Sequence, residues 1–145
     1  IKIKKLSPDF SDLIFMFQKE LGDKIVAKFP SSEYGRLSIL STYKLEILKK
    51  FLVSRNCFFP KPKVTSIIIH FRPKENITFK IKDVNNLEKV TNILFSNKRK
   101  MINKSIKKIL SQNKINQIDD LDLYLRPSNI KPEIYYKITE LFEIK

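Results

Sequence analysis

The sequence predicts an incomplete α/β sheet followed by a small all-α domain. Two observations carry this. Residues 13–72 hold three strand-like stretches mixed with helical ones, and beyond residue 83 the apolar period becomes helical and stays so to the end of the 145 residues.

In order, Leu13-Ile14-Phe15-Met16-Phe17 is an unbroken apolar run rich in strand formers, which predicts a strand buried on both faces as in a parallel sheet. Leu21, Ile25 and Val26 then fall at helical spacing until Pro30-Ser31-Ser32 breaks the pattern. A second helix is expected over about 34–43. Residues 44–53 alternate, with Leu45, Ile47, Lys49, Phe51 and Val53 on one side, and predict a strand. Two prolines at alternate positions make 56–63 a stiff loop, because each removes an amide donor and holds the chain extended. The β-branched run Ile67-Ile68-Ile69 predicts a further buried strand ended by Pro73, and the charged stretch 74–82 reads as a linker.

Asp83 is the expected N-cap of a helix carrying Val84, Leu87, Val90 and Leu94 on one face. Ser96 is expected to cap a second helix over about 97–111, and a short third lies near 119–124, with Asp119, Asp120 and Asp122 at its N-terminal end. A fourth opens with Pro132 in its first turn and places Ile134, Tyr135, Ile138, Leu141 and Phe142 on one face.

The net charge of +14, from 29 basic against 15 acidic residues, points to a polyanionic partner, with nucleic acid first. Only five of the 29 are arginine, so an AT-rich genome is a competing source of the lysines. One cysteine, Cys57, excludes an internal disulfide and a Cys-x-x-Cys metal site, and reads as structural in a cytosolic protein. No stretch is long enough to span a bilayer, and Ile1-Lys2-Ile3-Lys4-Lys5 lacks the apolar core of a signal peptide. Two glycines, Gly22 and Gly35, cannot form a Gly-rich nucleotide loop, so a cofactor site of that kind is not expected here.

Two stretches carry candidate chemistry. On a helix over 97–111, a rotation of about 100° per residue gathers Lys100, Lys104, Lys107 and Lys108 opposite Ile102, Ile106, Ile109 and Leu110. This is either a phosphate-binding ridge or a solvated lysine face. The loop from Phe58 to Lys63 sets two aromatics beside two prolines and the cations Lys61 and Lys63, the parts needed to stack a flipped base and hold its flanking phosphates. The bland alternative has both rings anchoring a turn in the core. His70, in an apolar strand without partners of matching chemistry, reads as structural.

Five ordered segments then resemble one family. They are Phe15-Met16-Phe17-Gln18-Lys19-Glu20, Tyr34-Gly35-Arg36-Leu37-Ser38, the run from Phe58-Phe59-Pro60-Lys61-Pro62 through Ser66, the run from Phe95 to Lys98-Arg99-Lys100, and Leu125-Arg126-Pro127. Together they are similar to the adenine dimethyltransferases of small-subunit ribosomal RNA (KsgA type). The resemblance implies a Rossmann-like sheet whose last three strands lie at about 13–17, 44–53 and 64–72. It divides the chain into the C-terminal part of the methyltransferase domain (1–73), a linker (74–82) and a helical RNA-binding domain (83–145). It implies S-adenosylmethionine-dependent dimethylation of adenine N6, ribosomal RNA and the small subunit as partners, and a cytoplasmic monomer working in ribosome biogenesis. It places Phe58 on the target adenine and leaves Phe59 to pack inward. Arg36, Lys61, Lys63, Lys98, Arg99, Lys100, Lys104 and Lys107 are assigned to RNA. Thr65 stands where the family usually has Asp, and Lys98 where it usually has Arg, which weakens bidentate phosphate binding there.

The family's Gly-rich donor loop, acidic ribose ligand and Asn-Leu-Pro-Tyr type motif would precede residue 1. The expectation is therefore a chain that begins inside a longer enzyme, grips RNA and is inactive alone. The competing readings are a non-catalytic RNA-binding module, a large-subunit RNA methyltransferase and an organellar transcription factor of the same sheet type.

Overall fold

The computed structural model describes residues 12–144, so the reading of residues 1–5 lies outside the described part. Three strands, β1 (Leu13–Gln18), β2 (Leu45–Val53) and β3 (Ser66–Pro73), form one sheet in the order β1-β3-β2, antiparallel throughout. In register, Met16 faces Ile68 and Ile68 faces Phe51, while a bulge at Leu48 separates the Ile47–Phe71 and Lys49–His70 pairs.

The helix α1 (Lys19–Val26) turns back from the end of β1 and covers one sheet face, burying Ile25 and Val26 against Ile67, Ile69 and Phe71. Gly22 permits this approach, since a Cβ there would lie 2.1 Å from Ile67 Cγ2. The other face is bare among the described residues: Ile14 is 66%, Met16 53% and Phe51 57% exposed. The expectation of a doubly buried parallel strand at 13–17 is thereby corrected. β1 pairs antiparallel with β3 and is half-open, because an apolar run signals that both faces suit apolar neighbours without saying which chain supplies them.

A second, larger core is built by α2 (Arg36–Lys44), α3 (Val84–Phe95), α4 (Asn103–Ile106), α5 (Gln112–Ile115) and α6 (Pro132–Glu143). Asp83 caps α3 as expected, accepting a hydrogen bond from the Asn85 amide. Leu87, Val90, Ile102, Ile106, Tyr135 and Ile138 are fully buried. Residues Tyr34, Ile39 and Tyr43 share this core, so the segment before the sheet's last two strands is packed with the helices that follow it. The stretch 74–82 is held down: Ile81 N donates to Tyr43 Oη, Lys80 N to Glu140, and Lys82 N and Asp83 N to Glu143. Burial opposes the charge of Glu143, but the bonds from Asn86 Nδ2 and those amides hold its carboxyl below the ordinary range.

Two helical expectations are corrected. Ser96 is the C-cap of α3 rather than an N-cap, and no single helix spans 97–111. Residues 97–100 form a turn closed by Lys100 N to Asn97 O, after which the chain winds irregularly through α4 with Ile106 N to Ile102 O and Leu110 N to Ile106 O. The four-residue spacing of Ile102, Ile106 and Leu110 is real and buried, but it needs only two and a half turns, not four. No helix forms at 119–124 either. Asp120 adopts φ 61°, and Asp122 accepts from Tyr124 N, so these carboxylates shape turns.

Candidate RNA-binding site

The loop between β2 and β3 stands at the C-terminal end of β1, since Val53 and Gln18 both pair with Ser66 and Lys19 N donates to Thr65 O. In open α/β sheets ligands bind outside the carboxyl ends of the strands. In the loop Phe58 is half-buried and Phe59 is 102% exposed, with a cis peptide to Pro60. Phe59 therefore does not pack inward as expected: the prolines hold this stretch off the sheet and leave the second ring in solvent. Lys61 and Lys63 are exposed beside it.

Next to the loop lies a cavity of about 360 Å³ lined by Gln18, Lys19, Glu33, Val64 and Thr65. Lys19 pairs with Asp23 there, and Lys24 lies 2.7 Å from Glu20. Glu33 leads within two residues to Gly35, whose α-carbon backs onto Phe95; an added Cβ would stand 3.9 Å from its ring. Ser38 Oγ accepts from Gly35 N and donates to Gly35 O, which fixes the start of α2. Phe95 stacks on Tyr135 at 5.7 Å, and the basic turn Lys98-Arg99-Lys100 follows at once. Four residues span at most about 14 Å, so 33–36 ties the aromatic loop's end of the sheet to the neighbourhood of the basic turn.

Arg36 begins α2 in that bridge, half-buried, and its Nε is buried without a hydrogen-bond partner among the described residues. Such a donor suits a phosphate oxygen. Lys98, Arg99, Lys100, Lys104 and Lys107 are all exposed, on one continuous segment. The ridge expected on a long helix is thus a turn followed by a single helical turn, with the cations still outward. Sequence reasoning missed Tyr124, 74% exposed and held beside this segment by Ile102 N to Leu125 O and Asn103 N to Leu123 O. No period marks a residue that is placed by a non-local backbone pairing.

His70 Nε2 lies 3.2 Å from Asp12 Oδ2 without hydrogen-bond geometry, and Arg72 Nε donates to Asp12 Oδ1 at 3.0 Å. The Arg72 hydrogen bond holds the Asp12 carboxyl below its ordinary range. Cys57 is a free, exposed thiol at the end of a 3-10 turn. No helix among the described residues is long and apolar enough to cross a membrane.

The described residues do not fit a nucleotide methyl donor. Gly22 serves close packing and Gly35 a helix start, so neither builds the Gly-rich turn such a donor needs.

Strand order β1-β3-β2, a helix returning over one face and a set of helices packed behind it define the class as a mixed α/β unit built on a small antiparallel sheet. The family model for Ribosomal RNA adenine dimethylase matches residues 2–143, and the chain belongs to that family. It is 44% identical over 135 residues to the ribosomal RNA small subunit methyltransferase A of Pelagibacter ubique, covering 92% of this chain and 51% of the relative. Against the protein of the same name from Malacoplasma penetrans it is 38% identical, covering 90% of this chain and 48% of the relative. The chain spans about half the length of these curated relatives. In fold it is similar to a dimethyladenosine transferase from Plasmodium falciparum, with a TM-score of 0.74 at 24% identity, covering 94% of this chain and 58% of that one. It is also similar to the 23S rRNA methyltransferase ErmE, with a TM-score of 0.62 at 18% identity and coverage of 92% and 56%.

Proposed function

We propose that this chain is the RNA-gripping portion of an S-adenosylmethionine-dependent enzyme that dimethylates adenine N6 in small-subunit ribosomal RNA. The observation that supports this reading is the Phe58 loop at the C-terminal end of β1, with Gly35, beside Arg36, backing onto Phe95 just ahead of the basic turn. The donor supplies the methyl group when bound. What these residues contribute is binding and orientation, which is most of what transfer to an exocyclic amine requires.

In this reading Phe58, braced by partial burial, stacks on the target adenine, and the outward Phe59 meets a flanking nucleotide. Arg36, Lys61, Lys63, Lys98, Arg99, Lys100, Lys104 and Lys107 hold phosphates. Residues 1–73 belong to the methyltransferase domain and 83–145 to the RNA-binding domain, with 74–82 as their packed connection. The enzyme works as a monomer in the cytoplasm.

Phe58→Ala should lower affinity for an RNA hairpin carrying the target adenine by on the order of 1–3 kcal/mol, with an unchanged melting curve. Equal binding by Phe58→Ala and the parent chain would remove Phe58 from the base. The 145-residue chain should bind that RNA but give no saturable heat with S-adenosylmethionine, and micromolar donor binding would overturn this partition.

A further inference from the structure

A second recess, away from the loop and the basic turn, is built where three distant stretches of chain meet. Its volume is about 310 Å³, and Lys28, Lys74 and Lys131 line it together with the rings of Phe29, Tyr34 and Tyr136. The aromatic floor is fixed. Phe29 meets Tyr34 edge-on at 5.4 Å, Tyr34 Oη donates to Ile130 O, and Tyr136 Oη donates to Ile39 O. Desolvation pushes the Tyr136 hydroxyl up to about 12 and Tyr34 higher still, so both remain neutral. The floor's hydroxyls are therefore used internally, and the ammonium groups are the donors left for an occupant.

Those ammoniums are largely unengaged. Lys74 donates to Thr42 O, which leaves two of its three hydrogens, and the ammonium groups of Lys28 and Lys131 have neither ion pair nor hydrogen bond among the described residues. Glu133 shares the rim without reaching salt-bridge distance of any of them. A lysine-rich composition explains many lysines but not their convergence on one recess from positions 46 and 57 residues apart in the chain. Three like charges around an aromatic-floored hollow repel one another unless an anion lies between them.

From this we infer that the recess is a second phosphate subsite, taking a phosphodiester of the bound RNA with its ribose against the aromatic floor. It rests on the RNA-binding reading and extends it, because Tyr34 adjoins the Gly35–Arg36 bridge that leads to Phe95 and the basic turn. An RNA strand held at the turn would thus be gripped again across the joint between the sheet and the helices.

The experiment uses the whole chain and measures affinity for a ribosomal RNA hairpin across a salt series. Lys28→Gln with Lys131→Gln is compared with Lys89→Gln with Lys137→Gln, which removes the same charge from exposed sites elsewhere, and with Lys98→Gln with Lys100→Gln. Lys74 is left intact because of its bond to Thr42, and a thermal melt verifies folding of each variant. The recess pair should weaken binding roughly three- to tenfold at low salt and flatten the salt slope by about 0.7–0.9 per lost contact, while the control pair changes neither. Equal effects of the recess and control pairs would reduce the result to net charge and overturn the subsite. An effect of the basic-turn pair alone would also overturn it, with the RNA reading left standing. If neither the recess nor the turn pair has any effect, the RNA reading itself falls.

Discussion

The helical half and the sheet half of this molecule solve the burial problem differently. In the helical half, Leu87, Val90, Ile102, Ile106, Tyr135 and Ile138 are fully enclosed, drawn from three helices and the segment that leads into one of them. In the sheet half, α1 closes one face over Ile67, Ile69 and Phe71, while Ile14, Met16 and Phe51 stand open on the other. Full burial of such a side chain is worth about 1.5–3 kcal/mol, so the open face forgoes several times that. The helical core is closed by its own residues, whereas the sheet keeps an apolar face open among the described residues.

The comparison can be broken at its strongest point first. Leu87→Ala should cost about 2–5 kcal/mol, because a fully enclosed leucine leaves a cavity that its neighbours fill only in part. Met16→Thr, on the open sheet face, should change stability by no more than about 0.5 kcal/mol. Urea melts of the two variants side by side would refute the division if their costs were equal.

Gly22→Ala tests the closed side of the sheet. The added methyl would overlap Ile67 Cγ2, and Ile67 is itself buried, so α1 must lift or Ile67 must leave its rotamer. The expected loss is about 1–3 kcal/mol from overpacking, net of alanine's better helix propensity, and a stabilised variant would show that α1 floats on the sheet.

A smaller effect belongs to the connection between the halves. The Glu143 carboxylate accepts hydrogen bonds from the Lys82 and Asp83 amides and from Asn86. Its lowered pKa in the folded chain means that its contribution is present above the ordinary carboxylate value and is lost as pH falls through the lower, folded one. Glu143→Ala should cost about 1 kcal/mol near neutrality and nothing further in strong acid. A stability difference that persists unchanged at low pH would mean the carboxylate does not hold the 74–82 stretch. Smallest of all, Phe59→Ala should leave the melt unmoved, since the ring is wholly in solvent, while weakening RNA binding.

Much of the fold was legible because its signals are local. Alternation at Leu45, Ile47 and Val53 predicts β2, Asp83 caps α3, and Pro132 opens α6 as its first-turn position implies. What escaped was non-local. The direction of β1 depends on β3, fifty residues later, and nothing in an apolar run encodes it. The 97–111 stretch carries helical spacing, yet three successive cations and a capping serine read as helix where tertiary contacts of Ile102 and Asn103 with 123–125 decide the path. The candidate site followed the same rule. Its cations were legible by charge and its loop by the prolines, but the outward turn of Phe59, the orphaned Nε of Arg36 and the exposure of Tyr124 are set by packing between segments.

The central claim is that this chain holds RNA through the exposed turn Lys98-Arg99-Lys100 and not through net charge alone. The direct measurement is the salt dependence of binding to a ribosomal RNA hairpin, for the chain and for Lys98→Gln with Arg99→Gln with Lys100→Gln. The account predicts a steep slope that flattens by about one unit for each replaced residue, with the melt unchanged. A slope identical in both proteins, or no measurable binding by the folded chain at low salt, would contradict it.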